Sequence, residues 1–490
     1  MITILEQPKT KYSLDYYAGD PIFSGPVADL KKSAEKAKIK LKGRTIWMIN
    51  STAQGGGVAE MLPGLITLMN DLGFNVRWGV INSDDPDFFI LTKKIHNMVH
   101  GDKSANVNFT ENDAQLFEYI NRKNADKLKS IIKKGDILVV HDPQPMHLGK
   151  IISEECGLLT IWRCHIGLDK HNDATYAAWN FLNKYSSSYA HSIFTAPEYV
   201  PDFFRNNHSI IHPCIDPLSH KNQDLTVSKL TGILCNSGLL PAYEPIATPD
   251  YKSRIKKILF DGSTGEPGET GLLFRPIIAQ ISRWDRLKGW LPLLDGFIKL
   301  KQSKIVEDNS LHSKRHIKRL QLSRLVLAGP DPTAVSDDPE GLEVVRQVKE
   351  RFVSLDSELQ KDISILLLPM ESAKENSLIV NALQRCATVI VQNSIREGFG
   401  LTATEAMWKR KPVLVSSATG LKQQVINNKN GLMVTNPEDS DEISECLVKL
   451  IKNPGMAYNL GRNAQRSVYD HFLVFRQISQ YLELFTRLLN

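Results

Sequence analysis

Glu397 and Glu405 stand eight residues apart, bridged by Gly398-Phe399-Gly400-Leu401. An ionised carboxylate only accepts hydrogen bonds, so its natural partners are the adjacent hydroxyls of a sugar or ribose. Two carboxylates on such a loop can serve one elongated polar ligand, Glu397 at one end and Glu405 at the other. On these residues alone, an exposed loop glutamate beside a glutamate favoured by a helix N-terminus is the better description. Arg283 and Lys288 supply the opposite charge, with Gly289 beside the lysine. A planar fork and a compact ammonium at a strand end suit a diphosphate. Preorganised cations there stabilise the charge that grows on a departing phosphate oxygen without a metal. His165 follows a strand end, and a lone histidine there is more often structural than functional. Asp142 and Gln144, stiffened by Pro143 and Pro145, are acceptor-site candidates, since a rigid loop loses little entropy on binding. A turn with Asp142 bonded to its own backbone describes the same residues.

The elements that must hold these groups are legible in the apolar pattern. Thr388 to Gln392 is a short β-branched run that reads as a buried strand, and Thr402 to Arg410 reads as a helix. Glu397 therefore sits on a loop at a strand's carboxyl end, where open α/β sheets bind ligands. Pro276 to Ser282 is the strand that precedes Arg283. Arg44 to Asn50 runs into Gly55-Gly56-Gly57 and a helix from Val58 to Leu72, an arrangement that can cradle phosphate. It is neither Gly-x-Gly-x-x-Gly nor a Walker A loop. Strands are also expected at 75–81, 136–141, 158–164, 192–195, 209–212, 324–328, 363–368, 412–416 and 431–434, alternating with helices. The class is therefore α/β with largely parallel sheets. The segment 262–271 reads as loop, 301–318 as a charged, loop-like insertion, and everything beyond Asp439 as helix, ending in an amphipathic stretch from Phe472 to Leu489.

Several of these segments together resemble the retaining, nucleotide-sugar-dependent glycosyltransferases of the GT-B fold. They are Asn50 to Glu60, Phe88-Phe89 with Lys93 to Asn97, His141-Asp-Pro-Gln-Pro145, Trp162-Arg-Cys-His-Ile166, Gln280 to Gly289 and Ser394 to Leu401. Within that group the pattern is most similar to trehalose glycosyltransferring synthases and their trehalose phosphorylase relatives. The resemblance implies two Rossmann-like, doubly wound domains facing a central cleft. Residues 1–217 would form the acceptor domain and 218–471 the nucleotide-sugar domain, with insertions near 218–274 and 301–320. The last helix, 472–490, would pack back on the first domain. The implied donor site comprises Gly56, Gly57, Arg283, Lys288, Glu397, Gly398, Phe399, Gly400, Leu401 and Glu405. Glu405 would meet the ribose, Arg283 and Lys288 the diphosphate, and Glu397 the glucose. Asp142, Gln144 and His165 would face the acceptor. His165, Arg283, Lys288 and Glu397 would carry the chemistry. The relatives tend to have an acidic residue two places after this histidine, where this chain has Gly167. The implied reaction is glucose transfer from a nucleotide-diphosphate glucose to a sugar, with trehalose from glucose as product. A trehalose phosphorylase using inorganic phosphate and a non-catalytic sugar- or nucleotide-binding protein are the alternatives.

Composition bounds the rest. The 490 residues suit two or three domains. The chain is 42% hydrophobic and 23% charged, an ordinary globular balance. A net charge of +6 suits a small anionic ligand but is too diffuse to argue for nucleic acid. Six scattered cysteines without a Cys-x-x-Cys pair argue against a zinc site or a disulfide framework. Asp84 to Asp87 and Asp337-Asp338 precede helices, where acidic residues are favoured, so no metal or other cofactor is expected. No run approaches the length of a membrane span and no signal peptide is evident. These features point to a cytoplasmic enzyme, with a homodimer as an allowed assembly.

Overall fold

The computed structural model describes residues 1–490 apart from 7–11, 54–55, 103–107, 242–250, 304–310, 335–338 and 490. Gly55 and the Asp337-Asp338 pair lie outside the described residues. The chain divides into two compact units, Met1–Asp216 with Phe472–Asn490, and Pro217–His471.

The first unit is built on seven strands: β1 (Thr3–Ile4), β2 (Thr45–Asn50), β3 (Asn75–Val80), β4 (Ile137–His141), β5 (Leu159–Cys164), β6 (His191–Phe194) and β7 (His208–Ile210). Their order across the sheet is β1-β3-β2-β4-β5-β6-β7. All pairs are parallel except β1 with β3. β4 reads Ile-Leu-Val-Val-His and is buried along its whole length, as a parallel strand covered on both faces should be. The helices Pro86–Val99, Glu111–Lys129 and Asp173–Asn183 start on side-chain caps. Thr110 and Asp113 form a reciprocal capping box, and Asp85 accepts from the Asp87 amide. The helix Val474–Leu488 belongs to this unit and packs on the helix Ser24–Leu41. Its Val474, Phe475, Ile478, Tyr481, Leu482 and Phe485 are buried, a stripe at helical spacing. The Phe475 ring meets Tyr17 and Phe23 at centroid distances of 5.3 and 5.9 Å. A parallel bridge from Ile215 to Leu473 stitches the helix's approach to the end of the unit's first segment.

The second unit carries β8 (Lys256–Ile258), β9 (Thr264–Gly265), β10 (Ile277–Ile281), β11 (Arg324–Pro330), β12 (Ile363–Leu368), β13 (Val389–Gln392), β14 (Val413–Ser416) and β15 (Leu432–Val434). The order is β15-β14-β13-β10-β11-β12-β8-β9. Counting the six parallel strands β10 to β15 in chain order gives 3-2-1-4-5-6, the doubly wound dinucleotide-fold order. Its switch point lies between β10 and β13, which pair in parallel through Ile278 and Ala279.

Two expectations are corrected. The segment 262–271 is not wholly loop: β9 within it pairs antiparallel with β8, and β8 extends the sheet beyond β12. The segment around 301–318 contains the helix Leu311–Gln321, whose Lys, Arg, Leu and Gln side chains favour helix although its charge reads as loop. Ahead of β2 lie the edge strand β1 and the helix Ser24–Leu41.

Phe475→Ala should lower the unfolding free energy by about 3–5 kcal/mol, since the ring is 2% exposed and its removal leaves a cavity between two helices. Urea titration followed by tryptophan fluorescence measures this, and an unchanged midpoint would show that the terminal helix does not close this core.

Candidate active site

In the second unit the loops after β10 and β13 flank the switch point and are zipped together. The Asn393 amide donates to Gln280 Oε1 at 2.9 Å, and Gln280 Nε2 donates to the Lys288 carbonyl at 2.8 Å. The Ile395 amide donates to the Leu287 carbonyl at 2.7 Å. Gly289 has φ +60°, and a Cβ there would overlap the Asn393 carbonyl oxygen. Glycine is thus required both for conformation and for the close approach.

This zip sets Lys288 against Glu397. Lys288 Nζ donates to Glu397 Oε2 at 2.6 Å, and both side chains are 13% exposed. The same oxygen accepts from Ser394 Oγ at 2.9 Å and Gln392 Nε2 at 3.2 Å. Burial pushes the Glu397 carboxyl up. The Lys288 ammonium outweighs it, helped by Ser394 and the Arg283 charge, and the net shift is below the usual range. Arg283 is exposed, and its charge is felt at Glu397. The sequence assigns Lys288 and Glu397 separate ends of a donor, but here they hold each other. A diphosphate can therefore take Lys288 only by sharing it with Glu397 or drawing it away.

Gly398, Phe399, Gly400 and Leu401 complete the turn. Gly400 has φ +88° and caps the helix Leu401–Trp408. Gln424 Nε2 donates to the Phe399 and Gly400 carbonyls, which fixes the loop from beneath. Glu405 lies one turn into that helix, 4% exposed. Its carboxylate accepts from Gln384 Nε2 at 3.3 Å and has Lys221 Nζ at 3.9 Å. The neighbouring Lys409 ammonium donates to Asn222 Oδ1 and to the Glu405 carbonyl. Burial pulls its pKa down against the opposing pull of Glu405. Glu405 is therefore already engaged by the buried Gln384 and by the half-buried Lys221, a lysine from the segment that the sequence reads as an insertion.

The first unit gathers a second cluster at the end of β4 and β5. His141 Nδ1 lies 3.1 Å from His165 Nε2, with the rings stacked at 10°. Asp142 has φ +63°. Its Oδ1 accepts from the His165 amide at 2.8 Å, and its carbonyl accepts from Trp162 Nε1 at 2.9 Å. Asp142 thus anchors His165 as well as lying at a strand end. Gln144 accepts through its carbonyl from Asn121. Gly56, with φ +83°, precedes the helix Gly57–Asp71. Burial, then the Arg163 charge, lowers His141 to about 3, and His165 is driven well below the usual range by the same causes. Desolvation pushes Asp142 up to about 6. A Cβ at Gly167 would run into the Tyr199 ring, so an acidic side chain cannot stand there without moving Tyr199. The roles of Gln280, Gln392, Ser394, His141 and Arg163 escape a reading of the sequence. A glutamine closing each of two apolar strands and an arginine inside a third were the available signals.

Gly289→Ala should separate the two loops, costing about 1–3 kcal/mol in strain and raising the Glu397 pKa as Lys288 withdraws. Thermal denaturation and titration of Glu397 by carboxyl NMR would read both, and unchanged values would mean the zip is not a constraint. Stability should also fall as pH drops from about 6.5 towards 4. His141, His147, His165 and His191 have folded pKa values below the unfolded value through burial, so the unfolded chain takes up protons the fold refuses. Asp142, shifted up, acts oppositely below about 6 and offsets one of the four. Urea midpoints between pH 7 and 4.5 test the sign, and His147→Gln should flatten the slope.

Residues 48–201 match the family model described as trehalose synthase, N-terminal domain, and 354–467 match glycosyl transferases group 1. A trehalose synthase of Pyrococcus horikoshii is 33% identical over 94% of each chain. One of Rubrobacter xylanophilus is 30% identical over 92% of each. A solved α,α-trehalose-phosphate synthase (UDP-forming) from Burkholderia xenovorans superposes with a TM-score of 0.66 at 15% identity, covering 91% of this chain and 100% of the other. With two parallel-sheet units, the switch-point loops and these full-length relatives, the chain belongs to the trehalose synthase family of GT-B glycosyltransferases.

Proposed function

We propose that this glycosyltransferase is a retaining glucosyltransferase that moves glucose from a nucleotide-diphosphate glucose to a sugar acceptor, with glucose as acceptor and trehalose as product. The observation that carries the reading is the Lys288–Glu397 pair, with Arg283 beside it, at the switch point of a doubly wound sheet. Such a point is where this architecture binds its ligand. The diphosphate meets Arg283 and Lys288, the glucose meets Glu397 and the Gly398–Leu401 loop, and the ribose meets Glu405. As the bond from the sugar carbon to the phosphate oxygen breaks, negative charge concentrates on that oxygen, and the two cations interact with it most strongly then. They act where a divalent ion acts in other phosphate chemistry. His165 is neutral and held by Asp142, so it serves as a hydrogen-bonding group rather than a cation. Asp142, Gln144 and His165 form the acceptor side, and Gly56 and Gly57 offer amides to the donor. A trehalose-6-phosphate enzyme of the same fold, from E. coli, is solved bound with UDP-2-fluoro glucose, which favours a nucleotide-sugar donor here. The reduced cysteines and charge balance suit the cytoplasm.

A phosphorylase reading draws on a trehalose phosphorylase of Grifola frondosa, 25% identical over 90% of this chain but only 56% of its own length. Incubating the protein with trehalose plus either phosphate or a nucleoside diphosphate separates the two. Nucleotide sugar is the expected product, and glucose 1-phosphate would replace the first reading with the second.

Arg283→Ala is the cleaner probe of catalysis, because the residue is exposed whereas Lys288 neutralises a buried carboxylate. Removing Lys288 would cost about 3–5 kcal/mol of stability as well as activity. Arg283→Ala should leave Tm unchanged and lower kcat by about 10²–10³, with a smaller change in donor KM. Near-normal kcat at saturating donor with only a raised KM would assign Arg283 to uniform binding.

A further inference from the structure

Arg163 lies one residue from the carboxyl end of β5 and is 0% exposed. None of its three guanidinium nitrogens has a hydrogen-bond partner among the described residues. A guanidinium cannot shed its proton to escape burial, and an unpaired buried ion costs several kcal/mol. Buried polar atoms in folded proteins are otherwise almost always partnered, so this group calls for an occupant beside it.

The register shows what surrounds it. Arg163 pairs with His141 on β4 and with Ile193 on β6, so all three project from one sheet face. Thr195 follows Ile193 by two residues and continues that face. His141 Nε2, Thr195 Oγ1 and the Tyr481 hydroxyl are likewise buried without a partner. Tyr481 comes from the helix Val474–Leu488, and the Arg163 charge reaches its phenol. Asp142, whose carboxyl feels the Arg163 charge, accepts from the His165 amide through its Oδ1 and forms no hydrogen bond to the guanidinium.

The open valences are complementary to one kind of ligand. Arg163 offers only donors, and the two hydroxyls can turn theirs inward. If His165 Nε2–H donates to His141 Nδ1, then His141 Nε2 is also an N–H donor. We propose that Arg163, His141, Thr195 and Tyr481 enclose a site for a small monovalent inorganic anion of the chloride class, between the sheet of the first unit and its terminal helix. Water would meet the hydrogen bonds but bring no charge to a guanidinium that no carboxylate pairs directly, whereas a small anion does both. The site is separate from the proposed donor contacts on the second unit and does not depend on the sugar that is transferred.

The test uses the full chain. Crystals grown without halide and soaked in sodium bromide should show an anomalous peak within hydrogen-bonding distance of Arg163 and Tyr481. In solution, exchanging sodium gluconate for sodium chloride at fixed ionic strength should raise Tm by a few degrees, through binding to the folded state. Arg163→Met should abolish that rise, and Tyr481→Phe and Thr195→Val, which keep the charge and almost the whole shape, should each reduce it. Density without anomalous signal would mean water alone and would overturn the proposal. So would a chloride response that survives in Arg163→Met. A bromide peak with no chloride-dependent Tm would be an adventitious ion only and would overturn it equally.

Discussion

A carboxylate withdrawn from water must be answered by a nearby positive charge or become neutral. For Glu397 in the second unit that demand is met chiefly by its contact with Lys288, 109 residues away in sequence. The contact exists because β10 and β13 are neighbours in the sheet, although β11 and β12 come between them in the chain. The loops that follow the two strands therefore leave from adjacent points. Gln280 and Asn393 hold them in register, and the absent side chain at Gly289 lets them touch. Strand order, loop closure and charge neutralisation are here one arrangement. A change to any of the three is felt by the others.

The two units meet the burial of charge in different ways. The second pairs its ions directly and surrounds the shared carboxylate oxygen with Ser394 and Gln392. The first keeps His141 and His165 neutral by burial, and the Arg163 charge adds to that effect. A neutral imidazole pair still offers one donor and one acceptor, and its orientation is fixed by the Asp142 carboxylate on the His165 amide. Asp142 adopts a left-handed backbone to do so, an unusual conformation for a residue with a side chain. That observation joins the two readings the sequence leaves open at Asp142, a turn residue and a site residue, since the turn is what aims the histidine.

Much of this was legible in the sequence wherever the signal was local. Apolar runs such as Ile363 to Leu368, broken only by Ser364, mark the parallel strands to within two residues. Glycines at a strand-to-helix turn mark the loop that carries Glu397. Signals that depend on partners distant in sequence were not legible. Nothing local says that Lys288 faces Glu397, or that Lys221 reaches Glu405. The charged stretch ending at Gln321 is misread for the opposite reason. Its side chains say solvent, and a helix with few buried residues satisfies that as well as a loop does. Arg163 was visible as a charge inside an apolar strand, but its meaning depends on which side chains the neighbouring strands set beside it.

The terminal helix has a consequence for how the molecule is made. Phe475, Tyr481 and Phe485 complete the core of the first unit, yet they follow every residue from 217 to 471 in the chain. At roughly 5–20 residues per second of synthesis, that unit waits on the order of ten seconds to a minute for its last piece. Until then the apolar side of the helix Ser24–Leu41 is uncovered, and the second unit, whose residues are contiguous, is free to fold first. The order of folding on the ribosome would thus run against the order of the sequence, with the nascent first unit the natural client of a holding chaperone.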